Sequence, residues 1–71
     1  MDIRKQFGSN VRKFRLVKNW TQDHLAEAAG LDRTYISGIE RGRRNPTLLV
    51  VQQIALALGV PESDLLRNYN A

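Results

Sequence analysis

Residues 21–42 read TQDHLAEAAGLDRTYISGIERG, and this stretch decides the fold. Thr21 can cap one helix, because its side chain can accept a hydrogen bond from a free backbone N–H. Gly30 can end that helix, since glycine adopts the left-handed conformation at little cost. Asp32 can cap a second helix that reaches about Arg41. The stretch therefore predicts two short helices joined by a very tight turn.

The inner faces of these helices carry the residues that a close crossing needs. Ala26 is small enough to let the second helix approach, and Ile36 with Ile39 gives that helix a branched apolar face. A tight crossing of this kind predicts a helix-turn-helix motif over about residues 21–41. In that motif the second helix can enter the major groove of DNA.

The outer face of the second helix has an unusual composition. On a helical wheel of 100° per residue it carries Arg33, Thr34, Ser37, Gly38 and Arg41. Solvated helix surfaces more often show long Glu/Lys pairs four residues apart. A surface that faces a groove needs short side chains for close approach and arginine to reach guanine. We therefore predict that Arg33, Thr34 and Ser37 contact DNA directly.

The rest of the chain also has helical periodicity and contains no strand pattern. Asp2 can cap a helix over about 3–18, whose apolar face is made by Ile3, Phe7, Val11 and Phe14. Thr47 can cap a nearly all-apolar helix over 48–58, and a short fifth helix begins at Pro61 and ends near Arg67. The prediction is an all-α, five-helix fold in one domain over 1–71.

Composition excludes several classes of protein. The chain has 11 Lys and Arg against 7 Asp and Glu, a net charge of +4, no cysteine and one histidine. A disulfide scaffold and a zinc finger are therefore excluded, no metal or other cofactor is expected, and a cytoplasmic protein is the default. No apolar run approaches the ~20 residues of a membrane span, so no membrane partner is expected. No catalytic constellation is visible, which argues against an enzyme.

Four segments together resemble the phage-repressor and Cro family of helix-turn-helix regulators, also called the XRE family. They are VRKFR, TQDHLA, ISGIERGRRNPT and IALALGVPESDLL, which lie between Val11 and Leu66. The stretch LDRTYISGIERGRRNPT is especially similar to the controller proteins of restriction–modification systems. The resemblance implies a five-helix DNA-binding domain and a transcriptional regulator, such as a repressor, that acts at a palindromic operator.

The resemblance also implies roles for individual residues. Base readers would be Arg33, Thr34 and Ser37, and Arg15 would form a half-buried ion pair with Glu40. Tyr35 would be either a core residue or a phosphate contact. In several relatives the position of Gly38 carries a long base-reading side chain, which is missing here. The expected contacts to the DNA backbone are Gln22, Arg41, Arg43, Arg44, Asn45 and Thr47.

The expected partners are double-stranded DNA and a second copy of the chain, with RNA polymerase as a further candidate and no small-molecule effector. One short helix reads too few base pairs to find a site among ~10⁶ or more competitors, so we expect a symmetric dimer. Its seam is predicted at Leu65 and Leu66, with Val60 and Tyr69 nearby, although the leucines and Val60 could instead close the core. The alternative function is an antitoxin or a protein-interaction adaptor on the same fold.

Overall fold

A computed structural model describes residues 2–69, and all of the regular secondary structure in that range is helical. The helices follow the predicted order, and their bounds agree with the sequence-based prediction to within about one residue. They are α1 (Ile3–Val17), α2 (Gln22–Ala29), α3 (Arg33–Glu40), α4 (Leu48–Leu58) and α5 (Glu62–Leu66).

Side-chain caps begin the first four helices, at the four residues that the sequence analysis named. The Asp2 carboxylate accepts from the Arg4 backbone N–H at 2.9 Å, and Asp32 does the same for Thr34 at 3.0 Å. The Thr21 and Thr47 hydroxyl oxygens accept from backbone N–H groups three residues later, at 3.0 and 3.2 Å. These caps satisfy donors that the first turn of a helix leaves without an internal partner.

Two left-handed residues set the turns on either side of α2. Asn19 has φ 58° and turns the chain after α1. Gly30 has φ 70° and ends α2, as predicted from the low cost of this conformation in glycine. The turn to α3 is consequently short enough to hold the two helices of the motif against each other.

The core lies where the inner faces of the helices meet. Ala26, Ile36 and Ile39 are buried as predicted, together with Phe7 and Val11 of α1. Ile3, which the sequence places on the same apolar face as Phe7 and Val11, is 55% exposed. Ile3 occupies the first turn of α1, and the apolar face of the helix reaches the core only from Phe7 onward. The remaining buried apolar residues are Leu25, Ala29, Val51, Ile54, Ala55, Leu58 and Leu65.

A glycine that the sequence analysis did not single out sets the crossing of α1 and α3. A Cβ at Gly8 would overlap the carbonyl oxygen of Ile39, so any side chain there would push the two helices apart. Because α3 carries the predicted base readers, Gly8 helps to fix the position of that surface relative to the rest of the domain.

The fifth helix is held to α1 through its C-terminal carbonyl groups. The Asn10 amide donates to the Leu65 and Arg67 carbonyl oxygens, both at 2.8 Å, and Gln6 donates to Leu66 at 2.6 Å. The Leu65 side chain is completely buried in the core. The seam predicted at Leu65 was therefore wrong, because a side chain with no exposed surface cannot contact a second copy.

Candidate nucleic-acid interface

The outer face of α3 presents the three predicted base readers side by side. Arg33 and Thr34 are exposed in the first turn, and Ser37 is half-buried one turn later. The inner face of the same helix is fixed in the core by Ile36 and Ile39. The core thus fixes the inner side of α3, and its polar side remains accessible to a large ligand such as DNA.

Arg33 is held by a weak ion pair in the free protein. Its Nε lies 3.2 Å from Oδ1 of Asp23 at the start of α2, and the two side chains are 61% and 75% exposed. Exposed pairs of this kind contribute about 0–1 kcal/mol, since water competes for both charges. The guanidinium can therefore exchange Asp23 for a base or a phosphate at little cost.

The hydroxyl of Thr34 takes part in the cap of α3. It donates to the Asp32 carboxylate, which also accepts from the Thr34 backbone N–H. These hydrogen bonds, the side-chain one first, lower the pKa of Asp32. The Thr34 side chain is consequently oriented before DNA arrives, and its oxygen can still accept a hydrogen bond.

Arg15 and Glu40 form a buried ion pair beneath the motif. Arg15 donates from Nε at 2.7 Å and from a terminal nitrogen at 2.9 Å to the two carboxylate oxygens, and from its other terminal nitrogen to the Trp20 carbonyl at 2.7 Å. The two side chains are only 9% and 3% exposed. The hydrogen bond with Glu40 raises the pKa of Arg15. The pair thereby ties α1 to the end of α3.

Gln22, a predicted phosphate contact, joins this ion pair. Its Nε2 donates to Oε1 of Glu40 at 3.1 Å, and the side chain is half-buried at the start of α2. A side-chain amide carries two N–H donors. One donor of Gln22 is directed at Glu40, and the second is available for a phosphate oxygen.

The loop after α3 carries the other predicted contacts to the DNA backbone. Backbone hydrogen bonds from Gly42 to the Ile39 carbonyl at 3.0 Å and from Arg43 to the Gly38 carbonyl at 2.9 Å turn the chain tightly. The exposed side chains that follow the helix are Arg41, Arg43, Arg44 and Asn45. Since Arg15 neutralises the Glu40 carboxylate, the electrostatic field of this loop is dominated by arginine.

Tyr35 in α3 and Thr47 at the start of α4 are the two remaining predicted contacts, and they lie in the elements on either side of the loop. Thr47 uses its hydroxyl to cap α4, whose N-terminus is a favourable place for an anion such as phosphate. Tyr35 is half-buried and packs against the core, and the guanidinium carbon of Arg44 lies 5.4 Å from its ring centroid. The packing of the ring supports the interpretation of Tyr35 as a core residue. A contact between its hydroxyl and a phosphate stays a prediction.

An exposed apolar patch lies on the α4 and α5 side of the molecule. We define it as Leu48, Leu49 and Leu66, of which Leu48 is the most exposed at 86%. These three leucines line one shallow groove together with Gln52. Of the residues predicted for a dimer seam, Leu66 belongs to this patch and Val60 packs partly into the core. Tyr69 makes an edge-to-face contact with Phe14, with the ring centroids 6.3 Å apart.

Other kinds of site find no support between residues 2 and 69. No cluster of potential ligands in that range could hold a metal ion. No helix there has both the length and the apolar character that crossing a bilayer requires.

The comparisons with known proteins agree with this geometry. The helix-turn-helix family model matches residues 11–65. Control protein C.BamHI of Bacillus amyloliquefaciens is 52% identical over 66 residues, which span 92% of this chain and 82% of that protein. The structure of the hypothetical transcription factor NHTF from Neisseria superposes with a TM-score of 0.92 at 44% identity, covering 96% of this chain and 78% of the other.

The structure of a third similar protein was solved in complex with DNA. The restriction–modification controller protein C.Esp1396I, solved as a tetramer in complex with its natural 35 base-pair operator, has a TM-score of 0.83 at 38% identity, covering 92% of this chain and 86% of that one. The chain belongs to the XRE-like helix-turn-helix family, whose members include transcriptional regulators and restriction–modification controller proteins.

Proposed function

We propose that this protein is a transcriptional regulator that binds double-stranded DNA at a specific operator. The observation that carries the proposal is the two-sided nature of α3. Its inner face is buried through Ile36 and Ile39, whereas Arg33 and Thr34 remain accessible on the outer face. A helix supported in this way can enter a major groove without disturbing the core.

The site divides into two kinds of contact. Arg33 can donate two parallel hydrogen bonds to guanine, and Thr34 and Ser37 can approach neighbouring base edges. The loop arginines, the free amide donor of Gln22 and the N-terminus of α4 can bind phosphates, which position a protein on DNA without reading its sequence. The charge of the loop suits this second role.

We propose further that the working unit is a symmetric dimer joined through the apolar patch of Leu48, Leu49 and Leu66. Side chains as exposed as Leu48 cost free energy in water, and contact with a second copy would remove that cost. A two-fold dimer would place its two α3 helices on half-sites about one helical turn apart, ~34 Å. A palindromic operator matches this symmetry.

The controller proteins among the relatives favour a role in a restriction–modification system, either as an activator or as a repressor. In that role the protein would act by occupying DNA in the cytoplasm, without catalysis and without a small-molecule effector, and RNA polymerase would be its candidate protein partner. The alternative of an antitoxin or adaptor has no relative to support it among the regulators and controller proteins reported above. An operator found upstream of genes for a restriction enzyme would support the controller role.

Selection of bound duplexes from a random DNA pool tests the proposed function. We expect a palindromic consensus whose affinity falls steeply as the salt concentration rises, since the loop arginines release counterions from phosphates. Binding that is equally tight for all recovered sequences, or recovery of no duplex, would contradict a sequence-specific regulator.

Sedimentation of the free protein, with titration of a half-site and a full operator, tests the dimer. Leu48→Ser adds no charge beside the N-terminus of α4, and it should leave a folded monomer that binds the half-site normally and the full operator less tightly. Val17→Ser is the matched control, because Val17 is an exposed apolar residue outside the patch. A Leu48→Ser variant that dimerises like the original protein would exclude the patch as the seam.

A further inference from the structure

We propose that Gly38 determines sequence specificity because its lack of a side chain lets Arg44 pack along α3 and read a base. We call the surface of α3 formed by Gly38 and Tyr35, on which the Arg44 side chain lies, the Arg44 seat. This inference rests on the proposed function, since it changes the role of Arg44 on the same DNA-binding surface from a phosphate contact to a base reader. It also separates Arg44 from Arg43, although the two arginines are neighbours in the same loop and are both exposed.

The Arg44 side chain lies across the backbone of Gly38. A Cβ at position 38 would be 2.9 Å from Cγ of Arg44, 3.2 Å from Nε and 3.6 Å from Cδ. Gly38 is buried, although it lies on the outer face of α3. The arginine therefore occupies the space that a side chain on the helix would otherwise fill.

Tyr35 forms the second side of this seat. Its ring centroid is 5.4 Å from the guanidinium carbon of Arg44, which is within the range of a cation–π contact. Tyr35 and Gly38 are three residues apart on α3 and so share one side of the helix. A contact on the ring and a contact on the glycine together fix the direction of a long side chain that would otherwise be free.

The backbone brings Arg44 to the seat. The N–H of Arg43 donates to the Gly38 carbonyl at 2.9 Å, so the loop is tied to the same residue that the Arg44 side chain covers. Within residues 2–69 no hydrogen bond or ion pair restrains the Arg43 guanidinium. Arg43 is thus an exposed charge without such a restraint, which suits a phosphate contact, whereas Arg44 packs along α3.

A seated arginine favours base reading for two reasons. Its side chain is ordered before binding, so less conformational entropy is lost when it docks. Its guanidinium can form paired hydrogen bonds to guanine, which need a defined direction, whereas a phosphate contact tolerates many directions. Gly38 thereby replaces the missing long side chain of α3 with one supplied by the loop.

The decisive variant is Gly38→Ala. Alanine is favoured over glycine inside a helix, so the melting temperature should stay equal or rise. The added methyl group should nevertheless displace Arg44, and the ratio of nonspecific to operator Kd should fall by about fivefold or more. Retained selectivity in this stably folded variant would overturn the inference.

Arginine variants supply the matched comparison. Arg44→Ala should lose selectivity to a similar extent, and adding Gly38→Ala to it should cause little further loss because the seat is already empty. Arg43→Ala should weaken operator and nonspecific binding by the same factor. If Arg44→Ala also weakened both by one factor, Arg44 would be a phosphate contact and the inference would be wrong.

Proton NMR of the free protein tests the seat without DNA. The Arg44 side-chain protons should be shifted upfield by the Tyr35 ring, and Gly38→Ala should move them toward random-coil positions. Unshifted protons in the original protein would contradict the seat. An original protein with no selectivity for any duplex would overturn the proposed function and this inference together, whereas a selective protein whose Gly38→Ala variant stays selective would overturn only the inference.

Discussion

Two arginine–carboxylate pairs lie at the two ends of α3, and they differ in solvent exposure and in the number and length of their contacts. Arg15 and Glu40 are almost completely buried, and their closest hydrogen bond is 2.7 Å long. Arg33 and Asp23 are mostly exposed and are joined by a single contact of 3.2 Å. Both charged groups of the first pair are shielded from water. In the second pair, water competes with each charged group for its partner.

The difference shows how one motif separates stability from recognition. The buried pair ties α1 to α3 and accepts the Gln22 amide, so its loss would strand a charge in the protein interior. The exposed pair restrains Arg33 only loosely, which leaves the guanidinium free to move to DNA. Solvent exposure thus distinguishes the structural Arg15 from Arg33, which is proposed to bind DNA.

Removal of one partner of the buried pair should have the largest effect. Arg15→Met or Glu40→Leu should each cost about 3–5 kcal/mol of unfolding free energy, because the remaining charge has no partner. The double variant should lose less than the sum of the two single losses. Denaturant or thermal unfolding measures these values, and small additive losses would show that the two charges act independently.

Replacement of Arg33, the proposed base reader in the exposed pair, should affect binding rather than folding. Arg33→Ala should cost about 1–3 kcal/mol of operator binding and relax the preference at one position of each half-site. Its stability should change by no more than about 1 kcal/mol, since the side chain lies on the surface and loses only the exposed pair with Asp23. Fluorescence titration against the operator and its single-base variants measures both the affinity and the preference. Unchanged affinity and preference would show that the recognition face has been assigned wrongly.

The carboxylate of the exposed pair should matter less. Asp23→Asn should change stability by at most about 1 kcal/mol. Operator affinity should stay the same or rise slightly, because Arg33 no longer has to leave a carboxylate and one repulsive charge is removed from the interface. The same titration applies, and a strong loss of affinity would mean that Asp23 positions Arg33 for DNA.

The smallest expected effect is that of salt on the coupling energy of each ion pair, and it should differ between the two pairs. The coupling energy of Arg33 with Asp23, from a double-mutant cycle on stability, should fall toward zero in about 1 M salt, where the screening length is only about 3 Å. The coupling energy of Arg15 with Glu40 should hardly change, since buried pairs are screened much less. Equal salt sensitivity in the two cycles would remove the contrast between them.

Much of the fold could be predicted because it depends on neighbours along the chain. A cap, a left-handed stop and an apolar period each involve residues within a few positions of one another, so Thr21, Gly30 and Ile36 were correctly interpreted. The predicted surface of Arg33 and Thr34 followed from the same helical geometry. The pairing of Arg15 with Glu40 came from family resemblance, since no local pattern links residues 25 positions apart.

The sequence by itself thus determined the helices, their caps, the helix-turn-helix motif and the outer face of α3. Only the tertiary structure decided that Leu65 closes the core, that Gly8 sets the crossing of α1 with α3, and that Arg44 covers Gly38. The physical reason is that local hydrogen bonding and helical period act between residues close in sequence. Burial and side-chain packing depend instead on segments that meet only after the chain has folded.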